Sequence, residues 1–502
     1  MKNIIKLGFF AVLIIFMSCE DAIDIDQVGR LTPDRAFRTV EDLSLGLNGV
    51  YTEYDLTPEI TLNAEYTDEI GVGNETGSQG FNTGFIFNLT SASTAAFTFW
   101  ANGYDELNAV NRLISGSENV EIEDGEQNQF NNLLGQAYAL RAFSHFQLLS
   151  YYSTDLTDDN ALGVILVDFV PQVTDQLLRS TNGEVFNAIL TDLDLADQLI
   201  VDQSSESRTF VSKDFVKALR ARIAAYRGKY DEALPLAQDL LSDYPLADRT
   251  EFPKIWTDES NVEVIFKLER TLNGPYDGQG SSGSVSAGGW AGSQFAFVNA
   301  TLGGGTYYEF GRSLFNLFDP DDIRYTSYLA PSSIVAPDYQ NTENFIDEDV
   351  LIIQKYPGSE GQNLMNDLKV FRSSEMLFII AEAYANSNNL NGPSNSVASM
   401  LKMLRDARFE DPQPLPNFSS QQEAWDAILT ERRIEFAFEG HRWKDIKRLG
   451  TLAGQDIVRD PLDCNRFNAC RLENDSFKLT LPIPQIEFNG NPDLRQQQNP
   501  GY

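Results

Sequence analysis

Histidine is nearly absent from this 502-residue chain, with only His145 and His441, and cysteine is limited to Cys19, Cys464 and Cys470. So few imidazoles and thiolates leave little for a metal centre with nitrogen and sulfur ligands. Basic side chains are scarce as well: 38 Lys and Arg stand against 73 Asp and Glu, a formal net charge of −35. That balance argues against a surface that embraces polyphosphate, and so against nucleic acid as a partner. Polyanionic glycans are disfavoured more weakly, since a local basic pocket can exist inside an acidic protein. No P-loop, GxSxG elbow or HExxH zinc site occurs, and no motif implies a cofactor. GQGSSG, Gly278 to Gly283, matches GxGxxG, but it lies in a Gly/Ser tract, follows no strand and opens no helix. Beyond the first residues no apolar run approaches the roughly 20 residues that cross a bilayer, so only the start of the chain can anchor it.

That start is informative. Lys2 and Lys6 precede an apolar run from Leu7 to Met17, which breaks at Ser18-Cys19 ahead of Glu20 and Asp21. A positive segment, a short apolar core and small residues at the break describe an export signal over residues 1–18, too short for a comfortable membrane span. A cysteine at the break matches a bacterial lipoprotein signal, in which that cysteine carries the acyl chains, although Phe16 and Met17 replace the residues commonest ahead of it. Each buried methylene adds about 0.8 kcal/mol and stable anchoring takes about two chains, so an acylated Cys19 holds the protein on a membrane. The acidic CEDAIDID stretch reads as a tether of the kind that routes lipoproteins to the outer leaflet, or simply as a solvated leader.

Cys464 and Cys470, with five residues between them, fall in the loop-like segment DPLDCNRFNACRLEND. An exported chain can close that loop with a disulfide, a gain of roughly 2 kcal/mol. A two-thiolate metal site is the rival, and it needs two further ligands nearby.

A hydrophobic content of 42% suffices for a large core. Residues 131–152 (NNLLGQAYALRAFSHFQLLSYY) are helix-forming and apolar on most sides, as in a helix buried among helices. Residues 104–115 place Leu107, Val110, Leu113 and Ile114 at helical spacing, and the two segments can pair as a hairpin. In VSKDFVKALRARIAAYRGKYDEALPLAQDLLSDYP, Ser212 caps one helix, Gly228 ends it, and a second carries Ala233, Leu236, Ala237 and Leu240. Ala218, Ala225 and Ala233 allow close approach, and the unit resembles a tetratricopeptide hairpin. Similar helix-like units recur from Phe371 to Arg408 and at 421–448, the latter interrupted at Gly440. The strict repeat period is not kept.

Between these blocks, residues 273–313 are rich in Gly and Ser yet carry Tyr276, Trp290, Phe295, Phe297, Tyr307, Tyr308 and Phe310. Trp290, flanked by Gly288, Gly289 and Gly292, has no regular element to pack it and reads as exposed. Residues 66–99 show a similar mix, with Phe81, Asn82, Phe85 and Phe87. Long loops in a compact protein are commonly functional. Acidic pairs such as Asp158-Asp159 and Asp321-Asp322 are the raw material of a glycosidase, but in so acidic a chain such pairs arise by number alone. His145 lies mid-helix and reads as a packing residue, His441 as part of a structural network near Trp443, and Trp100 as a core anchor within reach of the 66–99 loop.

Together the Cys19 lipobox, LTPDRAFRTVEDLSLGLNGVYTEY at 31–54, LLGQAYALRAFSHFQLLSYY, ILTERRIEFAFEGHRWKDIKRLG at 428–450 and the ending LPIPQIEFNGNPDLRQQQNPGY resemble the SusD/RagB nutrient-binding lipoproteins, in the family's order along nearly the whole chain. The resemblance implies a mainly α fold, with a helical scaffold of four tetratricopeptide-like units under an irregular loop-rich half. It further implies a signal over 1–18, one domain over 19–502 with an N-terminal part at about 20–230 and a C-terminal part at about 260–502, and no enzymatic activity. The partners it implies are a SusC-type TonB-dependent outer-membrane transporter, an oligosaccharide or in some branches a peptide, and outer-membrane lipid through Cys19. A surface glycan hydrolase on the same scaffold is the alternative. Sugar C–H faces pack on aromatic rings and amides bond hydroxyls, so the loops offer Phe81, Asn82, Trp290, Tyr307 and Tyr308 as ligand-binding candidates.

Overall fold

The computed structural model describes residues 36–73, 84–272, 289–295 and 308–502. Cys19, Phe81, Asn82, Tyr307 and the GQGSSG segment lie outside them. Among the described residues helices dominate: α1 (Val40–Tyr51), α2 (Thr57–Tyr66), α3 (Thr94–Ser117), α4 (Gln127–Tyr152), α5 (Asn182–Leu199), α6 (Lys213–Tyr226), α7 (Tyr230–Asp243), α8 (Ser373–Asn386), α9 (Val397–Arg408), α10 (Gln421–Glu435) and α11 (Arg442–Ala453). None of them is long and apolar enough to cross a membrane.

The chain folds as helical hairpins in tetratricopeptide style, α3 with α4, α6 with α7, α8 with α9 and α10 with α11. Local chemistry sets the ends. The Ser212 hydroxyl accepts from the Phe215 amide to start α6, and Gly228 takes a φ of +70° in the short turn to α7. Ser396 and Ser399 exchange bonds at the start of α9, and Gly440, at a φ of +81°, separates α10 from α11. Such left-handed turns suit glycine, which has no Cβ to clash. Ala218, Ala225 and Ala233 are buried where α6 meets α7. Helix α4 is buried over most of its length because α1, α3 and α5 all pack against it, and its polar Arg141 is bonded inside by Asp192. The segment beginning at Phe371 does not start as helix: Leu368–Arg372 is a strand, and α8 follows at Ser373.

The described strands form two-stranded pairs, of which two matter here. β2 (Val264–Leu268) pairs antiparallel with β4 (Leu368–Arg372), and β1 (Ile70–Val72) with β3 (Tyr308–Phe310). Buried ion pairs fasten the C-terminal hairpins to these strands. The Glu435 carboxylate accepts from Arg324, Arg372 and Arg408, while Glu431 pairs with Arg324 and Arg405. Arg432 bonds Asp445, and Arg222 of α6 grips Glu375 of α8 at two points. Much of the chain's limited positive charge is therefore spent inside, which leaves the acidic surplus for the surface.

Candidate functional site

Helix α2 is buried along its length and is polar, an arrangement tolerated only when every charge is matched. Glu59 accepts from the Tyr151 hydroxyl and the Gln147 amide, each at 2.7 Å, and pairs with Lys444. The Asn63 amide donates to the Tyr151 hydroxyl and its carbonyl accepts from the Trp443 amide. Beyond the helix, burial alone would raise the pKa of Asp68, but Arg433 and Arg442 outweigh it and hold the carboxyl at about 2. Glu69 next to it accepts from the Phe438 amide, but burial outweighs that bond and the pull of Arg442 and Arg433 and pushes it up to about 7.

The chain then enters β1. Its last residue, Val72, is paired with Tyr308, the first residue of β3, so the strand leading into residues 74–83 lies beside the strand leading out of 296–307. Both stretches carry aromatic candidates, and the ribbon joins their roots. Asp463 supports it from below. Its carboxylate accepts from the Arg312 amide at 2.7 Å and lies where a side chain on Gly71 would sit; burial raises its pKa to about 7. Next to Asp463, Cys464 is disulfide-bonded to Cys470.

The third root is Gly289–Phe295. The Gly289 carbonyl accepts from the Thr57 hydroxyl at 3.0 Å and from Arg270 Nε at 2.9 Å. A Cβ on Gly292 would stand 2.4 Å from the Tyr356 carbonyl oxygen and 2.7 Å from that of Leu364. Phe295 lies between Tyr356 and Phe438, with ring centroids at 6.5 and 5.3 Å. This segment packs against α2 and β3. Three segments rich in aromatics and glycine thus share one foundation of α2, the β1–β3 ribbon and the rings beneath them.

Two sequence expectations change here. Trp290 is not an exposed ring between flexible glycines: it is 3% exposed and precedes a short helical turn, Ala291–Phe295. Gly292 is there because backbone passes close by, not for flexibility. The Trp290 indole N–H has no hydrogen-bond partner among the described residues. Tyr308 is 7% exposed, lies in a strand and donates its hydroxyl proton to Glu65. Both rings therefore belong to the foundation of the loops.

Other expectations held or fell on clear grounds. Trp100 is buried against Tyr104 and Tyr152, as a core anchor is. His145 Nε2 accepts from the Val167 amide, leaving Nδ1 to donate to the Arg141 carbonyl, and burial lowers its pKa to about 3. His441 stacks on Phe436 at 4.4 Å. Asp159 pairs with Arg227, and Asp322 is bonded at both oxygens by Arg324, so neither acidic pair offers two unengaged carboxylates. What sequence reading missed is the polar row of α2, whose partners stand 88 to 385 residues away.

Two family models match: one described as the SusD family over residues 276–502, another as starch-binding associating with outer membrane over 42–225. The chain is 26% identical to the SusD-like protein P2 of Formosa agariphila, covering 99% of both chains, and 24% identical to SusD-like protein P38 of the same organism, covering 86% of this chain and 88% of that one. A SusD superfamily protein from Bacteroides thetaiotaomicron matches in structure with a TM-score of 0.75, at 23% identity over 92% of this chain and all of that one. Surface glycan-binding protein A from Bacteroides fluxus gives 0.70, at 19% identity over 93% and 100% of the two chains.

Proposed function

Since the chain belongs to the SusD/RagB family, we propose that it captures an oligosaccharide at the cell surface and passes it to a SusC-type TonB-dependent outer-membrane transporter. In this reading acylated Cys19 tethers the protein to the outer membrane, facing the exterior, and the molecule acts as a lid that binds without cutting. The observation that carries it is the common foundation of the aromatic segments: Val72 paired with Tyr308, with Gly289–Phe295 packed alongside. Phe81, Asn82 and Tyr307 are the residues proposed to meet the sugar, with Trp290 and Tyr308 as their support. Two structural neighbours described as a surface glycan-binding protein and a laminarin-binding SusD-like protein support a glycan over a peptide.

Titration of the mature protein with a panel of marine and plant glycans, followed by chromatography of the glycan, tests the reading. Binding with the glycan recovered at full length is expected; shortened products would replace it with hydrolysis, and binding only to a peptide panel would replace the ligand class. Cell fractionation of a Cys19→Ala variant tests the tether, which is wrong if the variant stays as membrane-bound as the wild type.

A further inference from the structure

Two buried carboxyls touch the β1–β3 ribbon, and neither is matched by a cation. Glu69 stands just ahead of β1, and Asp463 lies against Gly71. The buried carboxylates of the C-terminal hairpins differ: Glu431, Glu435, Glu439 and Asp445 each pair with an Arg or Lys. Among the described residues Glu69 and Asp463 form no such pair and accept from backbone instead, Glu69 from the Phe438 amide at 2.9 Å and Asp463 from the Arg312 amide at 2.7 Å. The second carboxyl oxygen of Glu69, Oε2, accepts no hydrogen bond there. A buried carboxylate without a cation must keep a proton or draw water to itself.

The cations nearby are committed elsewhere. Arg442 and Arg433 favour ionised Glu69, but both pair with Asp68, whose own charge opposes it. Asp460 and Glu309 oppose ionised Asp463, and Arg459 favours it while giving its guanidinium to the Glu65, Thr67, Phe85 and Ala469 carbonyls. The Arg312 guanidinium pairs with Asp349, and Arg466, which also feels Asp463, is exposed.

The bonds these carboxyls make reach all three roots. Phe438 has a φ of +63°, a left-handed backbone that residues other than glycine seldom take. It is held there by Glu69 at its amide and by the Tyr356 hydroxyl at its carbonyl. Its ring meets Phe310 of β3 at 4.8 Å and Phe295 at 5.3 Å. The Glu69 carbonyl accepts from the Gly311 amide at 2.8 Å, just past β3. Asp463 in turn joins Gly71 of β1 to Arg312.

We propose that Glu69 and Asp463 are positioning residues for the three loop roots and make their placement pH-sensitive: with both protonated the ribbon is shut, and with both ionised water enters at Gly71 and Phe438 and the ribbon parts. Its bearing on a glycan rests on the loop-site reading above; the parting of the ribbon does not. Both carboxyls are raised above their ordinary values, so the stability they lend the shut ribbon is complete below about pH 4 and is lost as pH rises through about 7.

Hydrogen exchange of the unliganded mature chain at pH 5.5 and 8.0, corrected for the intrinsic rate, tests this. Protection at the Phe438, Gly311 and Arg312 amides and over Gly289–Phe295 should fall at least tenfold between the two. A Glu69→Gln, Asp463→Asn double variant keeps both acceptors without the titration, and its protection there should be the same at the two pH values. If that variant does not fold, each single variant should reduce the loss. Carboxylates that ionise in place would hold the Phe438 and Arg312 amides more firmly, so protection that is level or rises in the wild type overturns the proposal. It also falls if the double variant, or failing that both single variants, lose as much as the wild type, or if α8 exchanges with the same protection as the ribbon, which marks unfolding of the whole chain. No glycan enters the measurement, so its failure is distinct from failure of the glycan panel.

Discussion

Arg442 donates to both carboxylate oxygens of Asp68, at 2.9 and 3.0 Å, across 374 residues of chain. The pair ties the end of α2 to the start of α11, and Arg433 of α10 adds a second cation. Removing one member of a buried pair strands the other and typically costs about 3–5 kcal/mol. Arg442→Ala should therefore lower the unfolding free energy by that amount, as followed by circular dichroism in denaturant. Because the Asp68 carboxyl titrates at about 2, below its ordinary value, its contribution is present above about pH 4 and is lost as pH falls toward 2. The gap between wild type and variant should close in that acid window; a gap that persists at pH 2 would mean the pair is not what the variant lost.

Glu106 moves the other way. It accepts from the Ser144 hydroxyl at 2.7 Å beside a cavity of about 40 Å³, and burial, reinforced by Glu59, Asp55 and Glu53, raises it to about 8. A carboxyl raised in the folded state binds its proton more tightly there, so its stabilisation is complete below about pH 4 and disappears as pH rises through 8. Glu106→Gln keeps the acceptor and removes the titration. Relative to wild type the variant should gain stability steadily from pH 5 to pH 9. Parallel profiles would show that Glu106 is already ionised at neutrality.

The elements legible in the sequence are those whose causes are local. Ser212, Gly228 and Gly440 mark helix ends within a few residues of the groups they satisfy, and the alanines of α6 and α7 announce a close crossing. In contrast, the ion pairs of the ERRIEFAFEGHRWKD stretch cannot be read locally, since Asp68, Arg324, Arg372 and Glu382, which pair with its charges, are far off in sequence. Trp290 was misleading for a related reason. Glycine beside it resembles a flexible tract, and only the three-dimensional approach of Tyr356 and Leu364 shows that Gly292 makes room for backbone.

The Cys464 to Cys470 disulfide sits next to Asp463, whose carboxylate supports Gly71 and Arg312 at the ribbon. A loop this short gains about 2 kcal/mol from closure, and the effect should be felt first where the loop touches the fold. A Cys464→Ser, Cys470→Ser double variant should lose about 2 kcal/mol, with hydrogen exchange rising over residues 70–72 and 308–310 more than in α3 or α4. Equal exchange in the two regions would separate the disulfide from the ribbon.

Gly292→Ala tests whether the shared foundation governs binding at the loops. The new Cβ meets two backbone oxygens, at 2.4 and 2.7 Å, and backbone cannot swing aside as a side chain can, so the segment carrying Trp290 must shift. Overpacking of this kind costs about 1–3 kcal/mol. Gly49→Ala is the matched control: it lies exposed on α1 with nothing within 4 Å, and there the change should stabilise the helix by roughly 0.8–1 kcal/mol. Trp290→Ala, which empties a buried site, should cost more than Gly292→Ala, about 3–5 kcal/mol. With a glycan identified by the panel, Gly292→Ala should weaken it by about one decade or more, equivalent to 1.4 kcal/mol per decade, while Gly49→Ala leaves it unchanged. If Gly292→Ala lowers the melting temperature yet binds that glycan as the wild type does, the foundation is structural only and the sugar sits on a surface that Trp290 does not support.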